Sequence, residues 1–174
     1  CIMKQILLMR HAKSSWEDEE LSDFDRPLAG RGKTDAPMMG NFIRKVGYTP
    51  EMVYSSPAKR AKETILHVAD ETTIDEASIQ WDEDLYYGDT DSYLNAIRSS
   101  NNNLETIMLV GHNPLMENTA GLLCGAGDRL AVRMPTAAVV CLESYAASWK
   151  EIKAGTCQIK WMMIPKALKN LYQK

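Results

Sequence analysis

The uninterrupted apolar run Ile6-Leu7-Leu8-Met9 is the strongest constraint on what this chain can fold into. A strand with one wet face alternates apolar and polar residues, whereas a run that is apolar throughout fits a strand buried on both faces of a parallel sheet. The run ends in Arg10-His11, which puts the pair at the carboxyl end of the strand, where open α/β sheets place their ligand crevices. Arginine is permanently cationic and neutral histidine is nucleophilic. The pair therefore suits attack on an anionic group such as phosphoryl.

Later segments extend the pattern. "EMVYSS" at 51–56 reads as a short strand, and "TIMLVG" at 106–111 as a second buried one. Between them and the first strand, a helix is expected over about 34–46, ended by Gly47 with Pro50 beyond. Ser56-Pro57 supplies an N-cap and a first helical position, after which Ala61, Ile65, Val68 and Ala69 fall on one helical face. Asn113-Pro114 repeats that arrangement, with Leu115, Thr119, Leu122 and Leu123 as the inner face and Gly125 and Gly127 as the stop. "AAVVCLES" at 137–144 and "CQIKWMM" at 157–163 read as two further strands, antiparallel at a sheet edge, before a closing helix over about 166–172. Strands alternating with helices predict an α/β fold of three layers, a mainly parallel sheet with helices on both faces. With 174 residues and no internal repeat, a single domain over 1–174 is expected.

Composition narrows the function. A net charge of -3 argues against a nucleic-acid or anionic-membrane binder driven by bulk charge. The N-terminal apolar run is too short to span a membrane and ends in the candidate site, so it is not read as a signal peptide. Cys1, Cys124, Cys141 and Cys157 form no CxxC, which excludes a zinc ribbon and a redox motif. The expectation is a cytoplasmic protein with free thiols.

Three strand ends carry candidate site residues: Arg10-His11, then Arg60 in "SSPAKRAKET", then His112 in "LVGHNP". They converge if the three strands are neighbours. Arg60 falls in the first turn of its helix, and His112 just before another helix start, where free backbone N–H groups favour an anion. Two arginines, two histidines and two helix starts suit a phosphoryl group in transfer. Ser14 is a further phosphate-binding candidate, although its hydroxyl can equally turn the loop. Arg26 can reach the pocket or pair with Asp23 and Asp25 beside it. Thr136 reads as a plain strand start, His67 as a surface residue, the acidic run Glu17–Glu20 as a solvated loop, and the ten methionines as core.

In this order, "LLMRHAKSSW", "SSPAKRAKET" and "VGHNP" resemble the three motifs of the histidine phosphatase superfamily, the phosphoglycerate mutase-like enzymes. "RHAKSSW", "DRPL", "RGKTDAP" and "GHNP" together look most like the small SixA-type phosphohistidine phosphatases, a resemblance that covers nearly the whole chain. It implies that His11 is a nucleophile forming a phosphohistidine intermediate, and that Arg10, Arg60 and His112 bind the phosphoryl oxygens. It implies no metal and no organic cofactor, the arginines supplying the charge. The partner it implies is a phosphohistidine-bearing protein or a small phosphorylated substrate, with neither nucleic acid nor membrane.

There are departures from the pattern. Ala12 replaces the signature glycine, and Glu17 stands where phosphoglycerate mutases carry a phosphate-binding asparagine, which argues against mutase activity. Asp82, Glu83 and Asp84 precede Leu85 where the superfamily has its acidic residue, leaving the general acid open, with Asp84 and Glu83 as candidates. An imidazole leaving group, which titrates at about 6.5 when unperturbed, needs far less protonation than an alkoxide. A site with an ill-defined acid therefore suits N–P bonds. The competing readings are a small-molecule phosphomonoesterase of the same superfamily, a hydrolase using His11 and His112 as metal ligands, and a phosphate-binding module without activity. The metal reading is opposed by the flanking arginines and the lack of HExxH. The binding module is opposed by the retained nucleophile.

Overall fold

The computed structural model describes residues 3–127 and 132–172, so Cys1 lies outside the described residues. In chain order the elements are β1 (Lys4–Arg10), α1 (Gly30–Lys45), β2 (Met52–Ser55), α2 (Lys59–Asp70), β3 (Gln80–Trp81), a single turn α3 (Asp84–Tyr87) and α4 (Thr90–Arg98). There follow β4 (Thr106–Gly111), α5 (Leu115–Leu123), β5 (Val139–Ser144), β6 (Gln158–Met163) and α6 (Pro165–Tyr172).

The six strands form one sheet in the order β3-β2-β4-β1-β5-β6. β1 to β4 run parallel to one another, β5 is antiparallel to β1, and β6 is antiparallel to β5 at the edge, as the sequence pattern predicts. Ile6 to Met9 are all 0% exposed because each face of β1 is roofed by helices. Ile6 and Leu8 join a core with Tyr93, Leu94 and Ile97 of α4 and Met116, Ala120 and Leu123 of α5. Leu7 and Met9 join the opposite core with Met39 and Ile43 of α1, Ile65 and Val68 of α2, and Leu168 of α6. The fold is thus the three-layer α/β arrangement expected. No helix among the described residues is long and apolar enough to cross a membrane.

Two helix starts differ from the expected ones. α1 begins at Gly30 rather than near residue 34, without a side-chain cap. Its start is set by a tertiary bond, Ala29 N donating to the Lys13 carbonyl at 2.8 Å, which local propensity cannot reveal. α2 begins at Lys59, not at Pro57. Ser56 Oγ accepts from Ala58 N at 3.2 Å, and Lys59 N donates to the Phe24 carbonyl at 2.9 Å, so the chain runs two residues further before it coils. α4 is an element that the sequence reading did not identify. Its Asp89/Ser92 capping box marks a start, and Tyr93, Leu94 and Ile97 its buried face.

Gly111, at the end of β4, is where the backbone needs the smallest residue. A Cβ there would lie 2.0 Å from the hydroxyl of Tyr93, a fully buried side chain. Gly111→Ala should cost about 1–3 kcal/mol in urea unfolding, because neither ring nor strand can yield without disturbing the core. Gly30→Ala, where nothing lies within 4 Å, should change stability by less than about 0.5 kcal/mol. Equal effects would show that Tyr93 packs elsewhere.

Candidate active site

β2, β4 and β1 are adjacent and parallel, so their carboxyl ends open on one crevice. Arg10 stands in register with Gly111, and Ser55 with Val110. The next residue of each strand, His11, His112 and Ser56, therefore meets the others. His11 N donates to the Gly111 carbonyl at 3.0 Å, and the two imidazole centroids are 5.1 Å apart.

His11 is buried, and its Nδ1 lies 2.7 Å from the carbonyl of Ala12. A carbonyl can only accept, so Nδ1 carries the proton and Nε2 of the neutral ring keeps its lone pair. Arg60 Nε donates to that Nε2 at 3.3 Å. Burial, together with the charges of Arg60, Arg10 and Arg26, pushes His11 down to about 4 against the raising effect of the Ala12 bond. The ring is neutral at physiological pH, with its nucleophilic nitrogen turned toward a guanidinium. Ala12 N donates to Thr64 Oγ1 at 2.9 Å, which ties the backbone behind the ring to α2.

Arg60 is buried in the first turn of α2. Its Nη2 donates to Asp23 Oδ2 at 2.9 Å and its Nη1 to the Asp23 carbonyl. Asp23 also accepts from Arg26 Nη2 at 2.6 Å and from the Tyr86 hydroxyl at 2.8 Å. Burial alone would raise the Asp23 carboxyl, but the bonds from Tyr86, Arg26 and Arg60 outweigh it and hold the group well below the usual carboxylate range. Asp23 is therefore a permanent anion that fixes two guanidinium groups. Arg26 in turn donates to Ser14 Oγ at 3.1 Å and lies 3.5 Å above the Trp16 ring.

His112 Nε2 sits 2.8 Å from Ser56 Oγ, and the Tyr86 ring stands edge-on to it at 5.3 Å. Burial, then the neighbouring His11 and Arg60, pushes His112 down to about 3. Arg10 Nη1 donates to the Met134 carbonyl at 3.0 Å. Arg10 Nε and His112 Nδ1 are buried with no hydrogen-bond partner among the described residues. An unpaired buried donor such as Arg10 Nε costs about 1–3 kcal/mol, a cost that a bound oxyanion relieves. Chemically, the crevice offers a neutral imidazole against the Arg60 guanidinium, with Arg10 Nε as an uncommitted donor.

The four residues expected at the centre, Arg10, His11, Arg60 and His112, come together. Ser14 is buried beside them, its hydroxyl held by Arg26. Asp82 is half-buried at the end of β3, while Glu83 and Asp84 are exposed. Among the described residues these carboxylates make no hydrogen bond to the histidines or arginines of the crevice; Asp82 Oδ1 accepts from Asp84 N at 2.9 Å. Glu17 is exposed in its loop. Thr136 accepts from Arg31 Nη2 at 3.4 Å, outside this cluster. No group of three His, Cys, Asp or Glu side chains among the described residues could hold a metal ion. The sequence reading missed the clamp formed by Asp23 on Arg60 and the part played by Tyr86. Neither leaves a local signal, because both contacts cross long stretches of chain.

Residues 6–91 match the family model described as the histidine phosphatase superfamily (branch 1). An uncharacterized chloroplastic protein of Arabidopsis thaliana is 33% identical over 160 residues, covering 86% of this chain and 71% of that protein. Among solved structures, a protein of Agrobacterium tumefaciens provisionally assigned as the phosphohistidine phosphatase SixA is 26% identical, with a TM-score of 0.77, covering 93% of this chain and 98% of the other. A protein histidine phosphatase SixA complexed with tungstate shares the fold at 23% identity, with a TM-score of 0.80, covering 94% and 99%.

The depressed histidines make stability pH-dependent. The unfolded chain protonates both rings near pH 6.5, whereas the folded chain holds off protons down to about 4 at His11 and about 3 at His112. Their neutral state therefore costs nothing at neutral pH, and stability should fall as pH drops from about 6.5 through that window. Urea unfolding at several pH values checks this. His11→Asn/His112→Asn should flatten the slope between about pH 6.5 and 4, below which the depressed Asp23 carboxyl adds its own loss, and an unchanged slope in that range would place its origin in other groups.

Proposed function

The chain belongs to the histidine phosphatase superfamily and is a phosphatase, and from that membership we propose that it hydrolyses protein phosphohistidine through a phosphoryl intermediate on His11. The observation that carries the reading is the state of His11: neutral, proton fixed on Nδ1 by Ala12, lone pair on Nε2 beside Arg60. Nε2 attacks phosphorus as the bond to the substrate nitrogen breaks, and that imidazole leaves with the electron pair and takes up a proton. Water then attacks phospho-His11, releasing inorganic phosphate and returning the electron pair to Nε2.

Arg10, Arg60 and His112 hold the phosphoryl oxygens in this reading. Fixed charges in a site shielded from water need no reorganisation during transfer, so they stabilise the transition state strongly. The role of Ser14 is indirect, through Arg26. Charge supplied by guanidinium groups takes the place that a divalent ion holds in other phosphoryl-transfer sites, and the reaction needs no metal. The three cysteines among the described residues, Cys124, Cys141 and Cys157, are free, which suits a reducing cytoplasm.

The nitrogen-linked substrate is favoured by what surrounds the leaving group. Glu83 and Asp84 are exposed, Asp82 is engaged with the Asp84 backbone, and Asp23, which is bonded to Arg60, stays ionised, so among the described residues no protonated carboxylic acid is bonded into the crevice. An imidazole leaving group tolerates this and an alkoxide does not.

His11→Ala should abolish turnover with the fold intact, and base-quench of the wild type during turnover should trap a phosphoenzyme at His11 that survives alkali and loses its phosphate in acid. Substantial residual turnover in the variant would refute the mechanism. Asp82→Asn, Glu83→Gln and Asp84→Asn should each change phosphohistidine hydrolysis by less than about tenfold, or roughly 1.4 kcal/mol of barrier. A loss of several hundredfold in any one would reveal a dedicated acid and turn the assignment toward ordinary phosphomonoesters.

A further inference from the structure

A wide cleft of about 1050 Å³ opens from Arg10, with neither Asp23 nor Arg60 in its lining, with Lys13, Arg31 and Arg133 around it and Met134 and Ile164 in its wall. Its charge runs against that of the whole chain. The protein carries a net charge of -3, yet four basic residues and one acid, Glu117, line this cleft. That acid is already committed: Glu117 Oε1 accepts from Met134 N at 2.7 Å and from Asn113 Nδ2 at 3.0 Å. The cleft therefore has a surplus of positive charge beside an apolar wall. Arg10 joins it to the reacting centre, and Arg10 Nε is buried without a hydrogen-bond partner among the described residues.

The transferred phosphoryl group would fill a small part of such a volume, which is of the size that takes a whole ligand. A compact inorganic anion would leave the methionine and isoleucine wall uncovered. An acidic side chain on an extended peptide satisfies both features, its carboxylate among the cations and its methylene stem on the wall. We propose that this cleft selects substrate by receiving an acidic residue of the segment that flanks the phosphohistidine. The inference rests on the protein-phosphohistidine reading above and adds to it which proteins the enzyme prefers. Arg31 and Arg133 are exposed on the rim and are the residues that set the preference. Neither touches the reacting atoms.

Replacing these two arginines should leave the fold intact. Asp35, which faces Arg31 at 3.9 Å, keeps Lys169 at 2.5 Å. The test compares three probes on the wild type and on Arg31→Gln/Arg133→Gln: an aryl phosphate, a phosphohistidine peptide flanked by glutamines, and the same peptide flanked by glutamates. The wild type should favour the glutamate peptide about tenfold in kcat/KM, chiefly through KM, since rim ion pairs are individually weak. That preference should shrink as salt is raised. The double variant should lose the preference while hydrolysing the aryl phosphate and the glutamine peptide at wild-type rates. Equal use of both peptides by the wild type, or a preference that survives the double substitution, would overturn the inference while leaving the phosphohistidine reading intact. Turnover of the aryl phosphate with neither peptide cleaved would instead overturn the phosphohistidine reading.

Discussion

The parallel pairing of β1 with β4, in the register that sets Arg10 against Gly111, is the constraint on which the rest of the molecule depends. It puts His11 and His112 one residue beyond paired positions, so their rings meet without either strand being distorted. A slip of one residue would turn Leu7 and Met9 toward α4 and α5, and would also send His11 into a helix layer. The apolar run of β1 thus fixes the chemistry as well as the core. Because both faces are filled, the register has one solution, and the site inherits its precision from packing rather than from its own polar contacts.

Holding guanidinium groups and neutral imidazoles together is an electrostatic problem that the fold solves with one carboxylate. Asp23 takes up both Arg26 and the outer edge of Arg60, which leaves Arg60 Nε aimed at His11. Without a fixed anion, the buried arginines would repel one another and their side chains would seek water. With it, the cations stay in place, and burial first and Arg60 after it still depress the histidines, the Asp23 charge offsetting only part of the effect at His112. Tyr86 completes the arrangement by bonding Asp23 and standing against His112, which links the two halves of the crevice through a single ring.

Much of this was legible in the sequence because it is written locally. Ile6–Met9 and "TIMLVG" announce buried strands through composition alone, and Arg10, His11 and His112 follow at their ends, so the centre of the site could be placed before its geometry was known. Arg60 was legible through its place after a strand and a Ser-Pro pair. What could not be read depends on contacts between distant segments. The start of α1 is set by the Lys13 carbonyl, and the start of α2 by Ser56 and Phe24. β3 is two exposed residues, too short for any period to show. In the sequence Asp23 looks like a local partner for Arg26 because that pairing is three residues long, while its bond to Arg60 spans the chain from loop to helix.

The two sides of the crevice differ, one closed by buried contacts and the other opening on a wide cleft. From the α1/α2 layer come Arg60 and Thr64, both buried and both bonded to the His11 region, so that wall is rigid. On the open side the first turn of α5 follows His112 and its Glu117 binds the Met134 backbone, while the exposed cations come from α1 (Arg31) and from the segment before β5 (Arg133). Both helices also direct the positive ends of their dipoles toward the crevice, which favours an anion from either side. A wall that holds His11 by buried bonds and an open wall that ends in exposed cations place opposite demands on packing. The fold meets both by closing the α2 side with buried contacts and lining the other side from α1, α5, β6 and α6.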